Sequence, residues 1–307
     1  MGKQAKELGF VRDTYEKICR LTEILKFLEN DNLLGNSLAL KGGTAINLTI
    51  FVLPRLSVDI DLDFSENVSR DDMMASRIRI NDRIHKFMSA TGYSLSSKSK
   101  DHYALESLVF NYINTGGMKD NIKVEINYML RNHVLEINQR HFRSTWEPEG
   151  VSVLSVAPIE IFASKIVALL NRTAPRDLFD IHNLVKSNMF NESEKILLRK
   201  CIVFYSAIGS QFPPFEFQLD NIDQISHKRI KTELYPVLRS KEKFILETSQ
   251  SQVKTWLRDL LELEENERGF LEAFLIKEYR PELLFESDEI LNRIKTHPMA
   301  LWKCSQK

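Results

Sequence analysis

RLSVDIDLDF, residues 55–64, decides how this chain is read. Asp59, Asp61 and Asp63 alternate with Val58, Ile60, Leu62 and Phe64, so the period is two and the segment predicts a strand. Successive side chains of a strand point to opposite faces. One face is therefore apolar and set into a core, while the other carries a row of carboxylates. Neighbouring acids on that face stand only ~7 Å apart at the usual rise per residue. Aspartate is depleted in strands, and like charges so aligned repel. A divalent cation held by carboxylate oxygens would compensate them. An ordinary amphipathic strand with a solvated outer face is the competing reading. A calcium loop is excluded, because the glycine and glutamate it needs at its sixth and twelfth positions are Phe64 and Arg70 here.

Upstream, LALKGGTAINL (residues 38–48) reads as strand, glycine turn and helix. Glycines let a backbone approach a ligand closely, and N–H groups at a helix start attract anions, so Gly42, Gly43 and Thr44 suit a phosphate. Thr44 would donate its hydroxyl or cap the helix. Neither G-x-x-x-x-G-K-[ST] nor G-x-G-x-x-G is present, and a glycine pair alone just makes a turn. Downstream, residues 69–86 predict a helix. Residues 106–113 and 122–128 predict two strands of a hairpin around Asn114, Gly116 and Gly117. Glu125 lies on the polar face of the second strand, as a solvated glutamate or as a third ligand beside Asp59 and Asp61. Carboxylates beside a phosphate-cradling turn suit phosphoryl or nucleotidyl transfer.

Residues 158–184 predict two helices around Pro175, the first apolar along Ile159, Phe162, Ala163, Ile166, Leu169 and Leu170. Lys165 and Arg172 are seven apart and share a face. Arg176 and Asp180 have the spacing of an i,i+4 ion pair, so a charged helix hairpin is one full account of this block.

Four stretches, LALKGGTAINL, RLSVDIDLDF, VEINY and EIFASKIVALLNRTAPRDLFDIHNL, occur in this order between residues 38 and 184. Together they resemble the AbiEii/AbiGii toxin family of nucleotidyltransferases, within the polymerase-beta-like superfamily. The resemblance implies an α+β fold: a minimal nucleotidyltransferase core with a mixed sheet, carrying a helical C-terminal domain. With the interruption at Pro148, Glu149 and Gly150, it implies a core domain over 1–150 and a mainly helical domain over 151–307 that completes the NTP cleft. It implies a magnesium-dependent (or manganese-dependent) toxin of a type IV toxin–antitoxin or phage-defence pair. Such a toxin transfers NMP from an NTP to RNA, with the tRNA 3′ end as expected acceptor, and is neutralised by a separately encoded antitoxin. By the same resemblance Asp59, Asp61 and Glu125 bind metal, with Asp63 peripheral. Gly42, Gly43, Thr44 and Lys165 meet the NTP, joined by Arg172 and Arg176. Asp177 acts as base or orients Lys165 and Arg176. A small molecule or a protein side chain is the alternative acceptor. A binding module with a dead site would have no reason to keep a repulsive acidic face.

The 307 residues allow two domains, and 42 Lys and Arg against 42 Asp and Glu give no global pull toward nucleic acid. RNA affinity would come from a local patch: Arg131, His133, Arg140, His141 and Arg143 with Trp146, or His227, Lys228, Arg229 and Lys231. Clusters of this kind are also ordinary solvated surface. Three scattered cysteines make no disulfide framework or zinc spacing and fit a cytoplasmic protein. MGKQAKELGF lacks the apolar run of a signal peptide, and no membrane association is expected. Beyond residue 190 helices are expected at 252–265 and 268–277, with Trp256, Leu257, Leu260 and Leu261 as a core stripe.

Overall fold

The computed structural model describes every residue except Leu53, 144–150, Phe212 and Lys307. Trp146 and the interruption at Pro148, Glu149 and Gly150 therefore lie outside the described residues. The chain forms two compact units. The first takes Met1–Asn132, Ile137–Val156 and Val237–Lys241; the second takes His133–Glu136, Ala157–Pro236 and Glu242–Lys307.

A mixed sheet of eight strands builds the first unit: β1 (Leu38–Lys41), β2 (Asp59–Phe64), β3 (Ser94–Leu95), β4 (Lys100–Asp101), β5 (Leu105–Ile113), β6 (Lys119–Asn127), β7 (Asn138–His141) and β8 (Ser152–Ser155). Their order is β3-β5-β6-β2-β1-β8-β7, with β4 beside β5. β2 runs parallel to β6 and antiparallel to β1, and β1 runs parallel to β8. Ile60, Leu62 and Phe64 are 0% exposed, and Val124 and Ile126 beside them are as deeply buried. Burial of this apolar face fixes the register, because a slip of one residue would put the aspartates into the core. The β5–β6 hairpin closes as its turn residues require. Asn114 Oδ1 accepts from the Gly116 and Met118 N–H groups, and Gly117 takes φ 80°, where glycine is favoured. Helices α1 (Arg12–Asn30) and α2 (Arg70–Ala90) complete the unit, Ser69 capping the second through the Asp72 N–H.

Val237–Lys241 joins this unit from far along the chain. Leu56 N–H donates to Val237 O and Arg239 N–H to Pro54 O, around a bridge between Arg55 and Leu238. The loop entering β2 is thereby paired on its backbone.

The second unit is helical: α3 (Pro158–Arg172), α4 (Pro175–Ser187), α5 (Glu192–Gly209), α6 (Leu246–Leu260) and α7 (Glu265–Leu275) are its longer members. The expected helix at 252–265 starts earlier and ends earlier, as α6, and residues 261–264 separate it from α7. Of the stripe expected on α6, Leu257 and Leu260 are buried with Val253, while Trp256 and Leu261 are half-buried. Glu160, 1% exposed, ties His133–Glu136 into this unit by accepting from the Val134 and Leu135 N–H groups and the Tyr205 hydroxyl. Among the described residues no helix is long and apolar enough to cross a membrane.

Removing the Glu160 carboxylate strands three donors in the interior, each worth roughly 1–3 kcal/mol when left unsatisfied. Glu160→Ala is therefore expected to lower the unfolding free energy by several kcal/mol in urea titration, and Tyr205→Phe by much less. Equal midpoints for Glu160→Ala and the parent chain would contradict this account.

Candidate active site

The pairing of strands aligns the acids found in the sequence. β2 and β6 place Asp59 beside Lys123, Asp61 beside Glu125 and Asp63 beside Asn127. On the other flank Lys41 stands opposite Asp61, and Ser107 stands opposite Glu125 across the hairpin. Lys41, Asp61, Glu125 and Ser107 thus form one row across four strands, all on the same face.

The acids of this face are compensated differently. Asp63 is 3% exposed and ion-paired to the Lys41 ammonium. Glu125 lies 2.7 Å from Lys123 Nζ. Asp59 and Asp61 are half-buried. Asp63, expected to be peripheral, is thus committed to Lys41. Among the described residues no three His, Cys, Asp or Glu side chains converge to hold a metal. Asp59, Asp61 and Glu125 share a face, but Glu125 is drawn to Lys123. Lys41 is the partner that spacing alone did not identify, since cross-strand pairs follow from register, whereas Lys123 stands two residues before Glu125 on the same face of β6.

The glycine turn abuts this row. Gly42 begins a helical turn (Gly42–Ala45) that continues as a π turn over Ile46–Ile50. Gly42 takes φ 67°, and a Cβ on it would lie 2.4 Å from Asp61 Oδ2, a separation no side chain tolerates. The backbone here is as close to the carboxylate as it can be. The first N–H groups of a helix have no intrahelical partner, and no side chain caps this one. Thr44 departs from its expected roles: it is 0% exposed and its hydroxyl donates to Asp59 O, so the side chain braces the turn against β2. Arg55 was missed. It is 1% exposed, and its Nη2 lies 3.0 Å from where a Cβ on Gly43 would stand. A charged residue leading into the strand was its only sequence signal.

The residues present fit a divalent cation. Asp59 and Asp61 offer hard oxygen donors on one face, Glu125 is in register with Asp61, and the absent Cβ of Gly42 lets the turn lie against Asp61 Oδ2.

A second cluster sits in the second unit, made by the sharp turn between α3 and α4. Thr173 takes φ 49° at the end of α3, its carbonyl accepts from Arg229 Nη1 at 2.9 Å, and Pro175 starts α4. This brings Lys165 Nζ to 2.9 Å from Asp177 Oδ1 and 3.3 Å from Asp180 Oδ2. Arg172 grips Asp177 with two hydrogen bonds, at 2.7 and 3.0 Å. The Arg176–Asp180 pairing suggested by spacing is replaced: Arg176 Nε donates to Glu233 O and Asp180 faces Lys165. Asp177 thus contacts Lys165 and Arg172, while the Arg176 Nε turns to Glu233 O. Burial works to raise the Asp177 pKa, but the Lys165 charge and the Arg172 contacts outweigh it and hold the carboxyl below its ordinary value. A carboxylate so stabilised is a weak base, and its contacts are those of a positioning residue.

The first expected basic patch is divided: His141 and Arg143 are exposed and Arg140 is half-buried. Arg131 and His133 are buried, Arg131 donating to Tyr128 O and His133 lying 3.6 Å from Glu160. In the second, His227 pairs with Glu247 and Arg229 with Glu233, while Lys228 and Lys231 are exposed.

A family model described as nucleotidyl transferase AbiEii toxin, type IV TA system, matches residues 26–274, most of the chain. The chain belongs to this family. It is accordingly a nucleotidyltransferase toxin of a type IV toxin–antitoxin system, with an NTP substrate and an antitoxin partner. Its fold is similar to that of MenT4, a nucleotidyltransferase toxin from Mycobacterium tuberculosis H37Rv, with a TM-score of 0.65 at 14% identity, covering 97% of each chain. That likeness supports the α+β architecture. No curated protein matches the chain.

Two outcomes follow for this toxin. Gly42→Ala forces a left-handed φ on a residue with a Cβ and drives it into Asp61, and is expected to cost at least about 1–3 kcal/mol of stability in urea unfolding; an unchanged midpoint would show that the turn relaxes freely. The depressed Asp177 pKa contributes stability above the usual aspartate pKa of ~3.9, lost as pH falls through the lower folded value. The stability gap between the parent chain and Asp177→Asn should accordingly shrink as unfolding is measured from pH 7 down to pH 3. A gap independent of pH would rule this out.

Proposed function

We propose that this toxin transfers a nucleoside monophosphate from an NTP to RNA, with the 3′ end of tRNA as acceptor, in the cytoplasm, and so blocks translation and growth. The observation that carries the reading is the register of β2 against β6, with Asp61 beside Glu125 and the Gly42 turn against Asp61. Asp59, Asp61 and Glu125 would hold magnesium or manganese. Bound there, the cation would neutralise triphosphate charge and acidify the attacking hydroxyl. The Gly42 and Gly43 backbone approaches the phosphates, which no side chain at Gly42 would permit. Lys165, Arg172 and Arg176 supply positive charge toward the NTP. Asp177 keeps Lys165 and Arg172 in place and takes no proton, in line with its depressed pKa. Lys123, paired with Glu125, holds that carboxylate on the acidic face. The partner is an antitoxin encoded separately, and the biological setting is phage defence.

One observation favours a second acceptor class, a protein side chain or a small molecule: Arg131 and His133 are buried, which leaves His141 and Arg143 as the exposed basic residues of that run.

The test incubates the purified chain and Asp61→Ala with magnesium, total RNA and each labelled NTP. Label should enter a tRNA-sized band with the parent chain and fall by roughly a hundredfold or more in the variant, as loss of a metal ligand dictates. Full labelling by a folded Asp61→Ala chain would sink the proposal. Label confined to protein or small molecules would transfer the chemistry to the second acceptor class.

A further inference from the structure

Phe179, His182, Asn183 and Lys186 recur at helical spacing along α4, on the side opposite Asp177 and Asp180. They line a half-open cavity of about 270 Å³ together with Phe244 and with Thr248 and Gln252 of α6. Its construction is that of a site. The Phe179 and Phe244 rings lie 5.7 Å apart at 51°, and His182 meets Phe244 edge-on at 6.1 Å. His182 Nδ1 is buried with no hydrogen-bond partner among the described residues. That atom has almost no open surface, so it is the rest of the ring, edge-on to Phe244, that a ligand in the cavity would meet. Burial, and then the Lys186 charge, lower the His182 pKa and so favour the neutral ring.

The lining selects a ligand class. Aromatic walls accept a flat π-system, and a neutral imidazole, two amides and a hydroxyl match the donor and acceptor edge of a base. Lys186 and Lys243 outnumber Glu242 at the rim, which suits a phosphate. The cavity is just below the usual range of small-molecule pockets, ~300–1,000 Å³, a size for a single nucleotide. We propose that the cavity between α4 and α6 is a second nucleotide site, taking one base against Phe244 and His182 with its phosphate toward Lys186 and Lys243. Its occupant is either a free nucleotide or one residue of an RNA strand.

The test is calorimetric titration of the full chain, with and without Asp61→Ala, in excess EDTA, so that neither metal nor transfer is involved. The probes are the four ribonucleoside monophosphates and a short single-stranded oligoribonucleotide. Binding should persist in Asp61→Ala and weaken by about tenfold or more in Lys186→Glu and in Thr248→Trp, which fills the cavity. Both substitutions are at exposed positions, and unchanged melting would show that the variants fold. Tighter binding of the monophosphates identifies a free nucleotide as occupant; tighter binding of the oligonucleotide identifies an RNA residue. No heat from any probe at millimolar concentration, or equal binding by both variants, overturns the proposal.

Discussion

Three carboxylates on alternate residues of one strand repel each other, and everything around β2 answers that repulsion. The apolar side chains between them are buried completely, so the strand can neither rotate nor slip to relieve it. What remains is compensation from neighbouring lysines. Lys41 on β1 takes Asp63, while Glu125 on β6 is met within its own strand by Lys123, two residues away. Parallel pairing with β6 also lines Glu125 up with Asp61, concentrating acidity where the Gly42 turn comes closest. Such an arrangement costs stability, and its use lies in cation and phosphate chemistry.

The second unit handles a buried acid in the opposite way. Asp177 is surrounded by positive charge, with Lys165 and Arg172 both in direct contact. The two cations lower its pKa despite burial, which separates holding from proton transfer. An acid meant to accept a proton near neutrality needs a raised pKa. Asp177 has the reverse, and its contacts to Lys165 and Arg172 are the ones the proposed positioning role needs.

Much of this architecture is legible in the amino-acid sequence, and the parts that are not share a cause. Period two exposes β2 and the β5–β6 hairpin because each buries one face and wets the other. The α3–α4 block is legible from helical apolar spacing and Pro175. Partners are not: Lys41 and Arg55 matter through contacts across strands or behind a turn, and single-chain spacing carries no register between strands. Arg176 and Asp180 show the same limit on helices, where the i,i+4 rule offers a weak local pair and tertiary contacts take both residues elsewhere. Arg131 and His133 read as surface because charged residues usually are. Arg131 instead donates from its Nη1 to the Tyr128 carbonyl, and His133 faces a buried glutamate.

The chain path adds a constraint that composition could not reveal. Residues 54–56 pair with residues 237–239, after much of the second unit has been threaded between them. Closing so long a loop costs entropy that grows only slowly with length, so the pairing is tolerable in stability but late in folding. Its placement explains its value. It clamps the loop that enters β2, and Arg55 within that loop backs Gly43. The loop that leads into the acidic strand is therefore paired by hydrogen bonds that exist only once residue 239 has been added. A fragment ending before residue 237 would keep every acid of the proposed metal site, and the ladders of β2 to β1 and β6, but lack the segment that pairs with the loop entering β2.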